Sequence, residues 1–271
     1  MEAGFEKETR RVRCAGGDIA VHMLGPAAGT PVLMTHSIMA SSMMWERQMA
    51  LLADRGFRVI AIDTRGHGGS TEPPQGPYGM DDLAADTVAV MDALDIRQAH
   101  YIGLSLGGMS GFGLGIRYPQ RFLSLVLCDA RADWPAPAVW EERIVAAREG
   151  GCAALAQATV LRWFGQAFVD SHPDVAARFV DTIGATALDG FVGCAQAIQG
   201  LDYLDRLGQI ALPVTLIVGA NDKPLPEAMA EIRTRIPGAR LEIIPDAGHL
   251  PNIDQPEAFD AALLRHFERA A

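Results

Sequence analysis

Three residues far apart in this chain of 271 residues carry side chains that together could perform nucleophilic acyl transfer: Ser105, Asp222 and His249. A serine hydroxyl is a weak nucleophile at neutral pH. It becomes effective when a histidine takes its proton and a carboxylate orients the other imidazole nitrogen. Ser105 stands in Gly103-Leu104-Ser105-Leu106-Gly107, between a short apolar run, 99–104, that reads as a strand and a helical stretch ending at Tyr118-Pro119. A serine on so sharp a bend is held out for attack, provided that its flanks are small. Glycine is common here, 28 residues of 271, so the pattern alone arises by accident in about one such chain in ten. Its context and its partners must carry the argument.

Both partners follow predicted strands. Asp222 lies in Gly219-Ala220-Asn221-Asp222 and His249 in Asp246-Ala247-Gly248-His249-Leu250-Pro251. Parallel strands would bring all three loops to one sheet edge, and the chain order Ser, Asp, His suits one of the known triad orders. In isolation Asp222 would also serve as a turn or cap residue, and Asp129, at the end of the sixth predicted strand, is a second candidate for the acid. Acyl transfer needs donors for the developing oxyanion, and the backbone N–H groups of Leu106 and Ile38 occupy the expected positions. His67, set among glycines in Asp63-Thr64-Arg65-Gly66-His67-Gly68, reads as a residue that orders a tight turn. His36 reads as a local hydrogen-bonding group beneath the oxyanion loop.

The elements that must position these groups alternate. A hairpin around Ala15-Gly16-Gly17-Asp18 opens the chain. Strands then read at 31–35, 57–63, 99–104, 122–129, 213–219 and 240–244, with helices around Trp45 to Arg55, from Asp81 to Leu94, after Ser105, and from Asp254 to Ala270. This pattern implies an α/β fold with a mostly parallel sheet covered by helices on both faces. The rhythm breaks after the sixth strand, where four or so helical segments follow one another. We read 1–132 and 208–271 as the core and 133–207 as a helical lid over the carboxyl edge of the sheet, where open α/β sheets bind ligands.

Composition narrows the function classes. A formal charge of −10, with arginines dispersed instead of striping one face, argues against nucleic acid as a partner. Cys14, Cys128, Cys152 and Cys194 form no C-x-x-C pair, and the seven histidines are scattered, so neither a metal nor another cofactor is expected. The charged N-terminus, Met1 to Glu8, lacks an apolar leader, and no stretch is long enough to cross a bilayer, which predicts no membrane association and a cytoplasmic protein. A small ester or lactone is the expected partner, and a homo-oligomer is compatible with the sequence.

Assembled, these motifs resemble the α/β-hydrolase family along the whole chain. Within it the chain is most similar to the 3-oxoadipate enol-lactonases, which hydrolyse a small lactone in aromatic degradation. The similarity includes Asp63-Thr64-Arg65-Gly66-His67-Gly68, Gly76-Pro77-Tyr78, Gly103-Leu104-Ser105, Leu127-Cys128-Asp129 and Arg162-Trp163-Phe164. The resemblance implies the α/β-hydrolase fold and a serine hydrolase working through an acyl-enzyme, with Ser105 as nucleophile. Two departures stand out. Those enzymes tend to carry Asn-Ser-Leu where this chain has His36-Ser37-Ile38. Their lid tends to open with Ala-Ala-Arg, an arginine suited to a substrate carboxylate, where this chain has Arg131-Ala132-Asp133. If Asp133 takes that place, a dicarboxylate meets a like charge, and Arg131 is the nearest substitute. Trp134 and Trp140 would line an apolar pocket or pack the lid. An enol-lactonase-like activity leads. A general carboxylesterase, a perhydrolase side reaction and carbon–carbon bond hydrolysis are the enzymatic alternatives, and a ligand receptor on the same fold is the alternative from outside enzymology.

Overall fold

The computed structural model describes residues 5–15, 17–71 and 77–270; Gly16 of the predicted hairpin turn, Gly76, and Met1 to Gly4 lie outside them. The chain opens with β1 (Glu8–Cys14) paired antiparallel to β2 (Gly17–Leu24), so that Cys14 faces Gly17 across the turn. β3 (Pro31–Thr35), α1 (Glu46–Ala53), β4 (Arg58–Ile62), α2 (Met80–Ala93), β5 (Ala99–Leu104), α3 (Leu106–Arg117) and β6 (Phe122–Cys128) follow. Next come α4 (Ala138–Gly150), α5 (Ala153–Phe164), α6 (Gln166–Ser171), α7 (Pro173–Gly184) and α8 (Leu188–Gln199), with β7 (Val214–Gly219), α9 (Leu225–Arg235), β8 (Arg240–Ile244), α10 (Pro251–Asp254) and α11 (Pro256–Ala270) completing the chain.

The eight strands form one sheet in the order β1-β2-β4-β3-β5-β6-β7-β8. Only β2 and its two neighbours pair antiparallel; every pairing from β4 to β8 is parallel. The central strands are continuous apolar runs, as parallel strands with both faces covered should be; all six residues of β5 and all six of β7 are buried. One face carries α1 and α11, joined where Arg47 and Gln48 of α1 both donate to the Asp260 carboxylate, at 2.7 and 2.8 Å. The other face carries α2 and α3, which pack on each other, with α9 beyond them.

The insertion between β6 and β7 is closed at its neck. Asp133 and Asp202 form an antiparallel bridge, and the Tyr203 N–H donates to the Ala132 carbonyl at 2.7 Å. Within it α5 and α7 pack through Trp163, Phe164 and Phe179, whose rings meet 5.2–5.8 Å apart. No helix among the described residues is long and apolar enough to cross a membrane.

Several local expectations are adjusted. The stretch read as one helix from Trp45 begins as a 3-10 turn over Ser42–Trp45, capped by the Ser41 hydroxyl, before α1. The closing helix is broken at Gln255, because Pro256 has no N–H to continue the ladder from α10. The insertion, read as four or so helical segments, holds five α-helices. α9 was not anticipated, since its many charges blur the apolar stripe; the signal available was Pro226 early in its first turn, with Leu225, Met229 and Ile232 at helical spacing.

Candidate active site

Ser105 sits between β5 and α3 with φ +56° and ψ −113°, a conformation rarely adopted by residues other than glycine. The turn is locked from three sides. The Ser105 N–H donates to Cys128 O at 2.8 Å, Met109 N–H donates to Ser105 O at 2.8 Å, and Gly107 N–H donates to His36 O at 3.2 Å. The flanking glycines are required by close approach: a Cβ on Gly103 would lie 2.3 Å from Gly107 O, and one on Gly107 would lie 2.4 Å from Thr35 Oγ1. Any larger residue would unwind the bend that aims the hydroxyl.

β7 and β8 deliver the other two groups. Asn221 N–H donates to Ala247 O at 2.8 Å and so couples the two loops, and across that junction His249 Nδ1 meets Asp222 Oδ2 at 2.5 Å. The carboxylate therefore accepts from Nδ1–H, which leaves Nε2 as the lone-pair nitrogen. Both side chains are buried. Burial pushes the Asp222 carboxyl up, but His249 and the Arg162 guanidinium, with Asp129 close by, hold it below its ordinary value. Burial pushes the His249 imidazole down, and Arg162 adds to this while Asp222 opposes it. The net result is a neutral base beside an ionised acid at neutral pH. His249 Nε2 makes no hydrogen bond to any described residue, and it lines the same cavity as Ser105.

That cavity has a volume of about 290 Å³ and is lined by Ser105, Asp222 and His249, by Ile38 and Met109 from the core, and by Trp134, Trp140, Arg143 and Arg162 from the insertion. The N–H groups of Ile38 and Leu106 have no hydrogen-bond acceptor among the described residues. Leu106 opens α3, where unpaired N–H groups and the helix dipole favour negative charge. The loop that carries Ile38 turns through Met39 at φ +64° and is closed by Ala40 N–H to Ser37 O at 3.0 Å.

His36 braces that loop from below. Its Nδ1–H donates to Ser37 O at 2.8 Å while Nε2 accepts from Thr64 N–H at 2.9 Å. An imidazole that accepts at Nε2 is neutral, in keeping with burial pushing it down. His67 donates through Nδ1 to Arg65 O at 3.0 Å, and burial together with neighbouring His36 lowers it to about 3. Neither faces the cavity.

Of the residues expected at the substrate, Arg131, Trp134 and Trp140 line the cavity and Asp133 does not. The Asp133 carboxylate turns to the Arg131 guanidinium, 2.9 Å away, so the like charge expected to face an acidic substrate is absorbed by an ion pair. Arg143, Arg162 and Lys223, none of them expected at the substrate, bring three more cations to the cavity wall. Arg143 lies over the Trp140 ring at 5.0 Å, and burial with neighbouring Arg162 lowers it to about 10, still cationic. Arg162 Nη1 lies 3.8 Å from Asp222 Oδ1; 43% of its side chain is accessible although it sits deep in the molecule, because it forms cavity wall.

Comparison with known proteins places this arrangement in a family. The profile described as alpha/beta hydrolase fold matches residues 30–256. The chain belongs to the α/β hydrolase fold family. It is 32% identical over 249 residues to 3-oxoadipate enol-lactonase 2 of Acinetobacter baylyi, covering 91% of this chain and 92% of that one. Among solved structures it is similar to the enol-lactonase from Burkholderia xenovorans, with a TM-score of 0.92 and 32% identity over 96% of this chain and all of the other. A hydrolase from Pseudomonas aeruginosa superimposes with a TM-score of 0.91 and 34% identity, covering 98% and 99% of the two chains.

Proposed function

We propose that this α/β hydrolase opens a small lactone, or cleaves a small ester, that carries a carboxylate, through an acyl-enzyme on Ser105. His249 Nε2 takes the Ser105 proton as Oγ attacks the carbonyl carbon, and Asp222 stabilises the imidazolium that forms. The oxyanion develops toward the N–H groups of Ile38 and Leu106, at the positive end of α3. The ring C–O bond then breaks and the departing oxygen takes the proton from His249. In a lactone that oxygen stays tethered to the acyl chain, so nothing leaves the cavity until water, deprotonated by His249, attacks the ester carbon and frees Ser105.

The observation that carries the substrate class is the set of cations in an apolar-walled cavity: Arg143, Arg162 and Lys223 surround the triad beside Trp134 and Trp140. Guanidinium groups in such a setting match a carboxylate in charge and geometry. A volume of about 290 Å³ lies just under the usual span of ligand pockets, about 300–1,000 Å³, and fits a compact acid better than a long acyl chain. The likeness to enol-lactonases agrees with this choice. The test is a panel that sets a carboxylate-bearing enol-lactone against neutral lactones and short neutral esters. A kcat/KM at least about tenfold higher for the acid than for its neutral methyl ester supports the reading, and equal or reversed values reject it.

A further inference from the structure

Asp129 has no role in the reaction just described, yet it is held at some strain against the group that orients the base. It follows β6 directly, with φ +43° and no accessible surface. Because β6 neighbours β7, its backbone N–H donates to Ile217 O at 2.9 Å, and its Oδ1 accepts from Gly219 N–H at 2.9 Å. Its other oxygen, Oδ2, is buried and has no donor among the described residues. One ligand atom each of Asp129, Asp222 and His249 falls within 4.8 Å of the others. As two carboxylates, Asp129 and Asp222 would be like-charged acceptors within 4.8 Å of each other, inside a protein where like charges at this range repel strongly. One proton turns that clash into a hydrogen bond.

We propose that Asp129 is a positioning residue held as the neutral carboxylic acid, its Oδ2–H donating to the Asp222 carboxylate and fixing the face that Asp222 presents to His249. This rests on the triad reading above. The asymmetry of the pair decides which partner keeps the proton. Asp222 receives the His249 N–H at 2.5 Å and has the Arg162 guanidinium 3.8 Å away, whereas Asp129 has one backbone N–H and the Cys128 thiol beside it. Burial, with the Asp222 charge adding to it, accordingly raises the Asp129 carboxyl well above its ordinary value, against the opposing pull of Gly219 N–H and Arg162. A divalent cation in the same cluster is disfavoured by Arg143 and Arg162 and by a His249–Asp222 contact already of hydrogen-bond length.

Asparagine at this position separates the alternatives, since its amide oxygen can accept from Gly219 while its NH2 donates to Asp222. The experiment follows the rate of Ser105 labelling by a fluorophosphonate against pH in wild type, Asp129→Asn and Asp129→Ala, with an infrared spectrum of wild type and Asp129→Asn at neutral pH. Expected are a protonated-carboxyl C=O band in wild type that Asp129→Asn removes, and labelling by Asp129→Asn within about threefold of wild type with its acid limb unmoved. Asp129→Ala should label about tenfold more slowly, with an acid limb displaced upward because Asp222 has lost a donor. No such band, or an acid limb about one unit lower in Asp129→Asn, overturns the proposal, because it reports the loss of a negative charge beside His249. So does an Asp129→Ala variant whose acid limb stays in place while only its melting temperature falls. Should Asp129→Ala not fold, the band and Asp129→Asn decide the matter. No Ser105 adduct in wild type would sink the triad reading instead, and the two failures are distinct.

Discussion

The backbone N–H of His249 donates to the backbone carbonyl of Trp163 at 2.8 Å, and the Trp163 indole stacks on the His249 imidazole at 24° with ring centroids 6.3 Å apart. Trp163 lies in the last turn of α5, so a helix of the insertion holds the proposed base from outside the sheet. Asp222 accepts from one edge of the imidazole, while Trp163 holds the His249 backbone and sets its indole alongside the ring.

Trp163 is 1% exposed, so Trp163→Ala should destabilise the protein by about 3–5 kcal/mol. The expectation specific to this contact is that kcat for a small ester falls by more than the folded fraction accounts for, while Trp163→Phe keeps most of it. Urea unfolding followed by kinetics on the folded variant separates the two effects. Unchanged kcat in folded Trp163→Ala would show that the stack positions nothing.

The pH profile follows from the neutral base. His249 is held below the ordinary histidine value of about 6.5 by burial and by Arg162, and only the neutral imidazole can accept the Ser105 proton. The acid limb of kcat/KM should therefore lie below about 6.5, with activity rising as pH rises through it and level at neutrality. In Arg162→Gln a cation that disfavours the imidazolium is gone. Its acid limb should move up, by roughly a few tenths of a unit to one unit because Arg162 is partly solvated. A downward move contradicts this assignment of charges.

The Arg131–Asp133 ion pair makes the effect of Asp133 indirect. Asp133→Asn should free the Arg131 guanidinium toward the cavity and lower KM for a carboxylate-bearing substrate severalfold, with little change for a neutral ester. Arg143→Gln should do the reverse, raising KM for the acid about tenfold, equivalent to about 1.4 kcal/mol. Parallel changes for acidic and neutral substrates in either variant would place these residues outside recognition.

Far from the site, Ser124 Oγ lies 2.6 Å from His100 Nδ1 and 2.6 Å from His266 Nε2, and His266 Nδ1 meets Thr215 Oγ1 at 2.8 Å. One hydroxyl can donate to only one of its two histidines and must accept from the other, so the chain of four groups orders itself. Burial lowers both His100 and His266 to about 4. In the unfolded chain they titrate near 6.5, so the unfolded state binds more protons between about 4 and 6.5, and stability should fall as pH drops through that window. Ser124→Ala should lose about 1–3 kcal/mol at neutral pH by orphaning buried ring nitrogens. Denaturant melts at several pH values check both statements.

Much of the site was readable because its requirements are local. Gly103 and Gly107 are small for steric reasons confined to one turn, and Asp222 and His249 sit in loops directly after apolar strands, which parallel pairing must bring to one edge. The apolar runs of β3 to β7 gave the sheet for the same reason. What escaped depends on orientation. Arg143 and Arg162 face the cavity only because α4 and α5 dock as they do, and no spacing in either helix marks that face. Asp133 reads as a charge near the site, but the neck formed with Asp202 and Tyr203 turns its carboxylate to Arg131. The meeting of Asp129 with Asp222 needs the neighbouring placement of β6 and β7 and a left-handed backbone at Asp129, neither of which periodicity can express.

The proposed role of Ser105 as nucleophile is tested most directly by intact-mass analysis after treatment with a fluorophosphonate. One adduct per chain is expected, mapped to Ser105 by peptide sequencing, formed faster as pH rises through the acid limb and absent from Ser105→Ala. An unmodified wild-type chain that still hydrolyses a lactone, or an adduct on another residue, would contradict it.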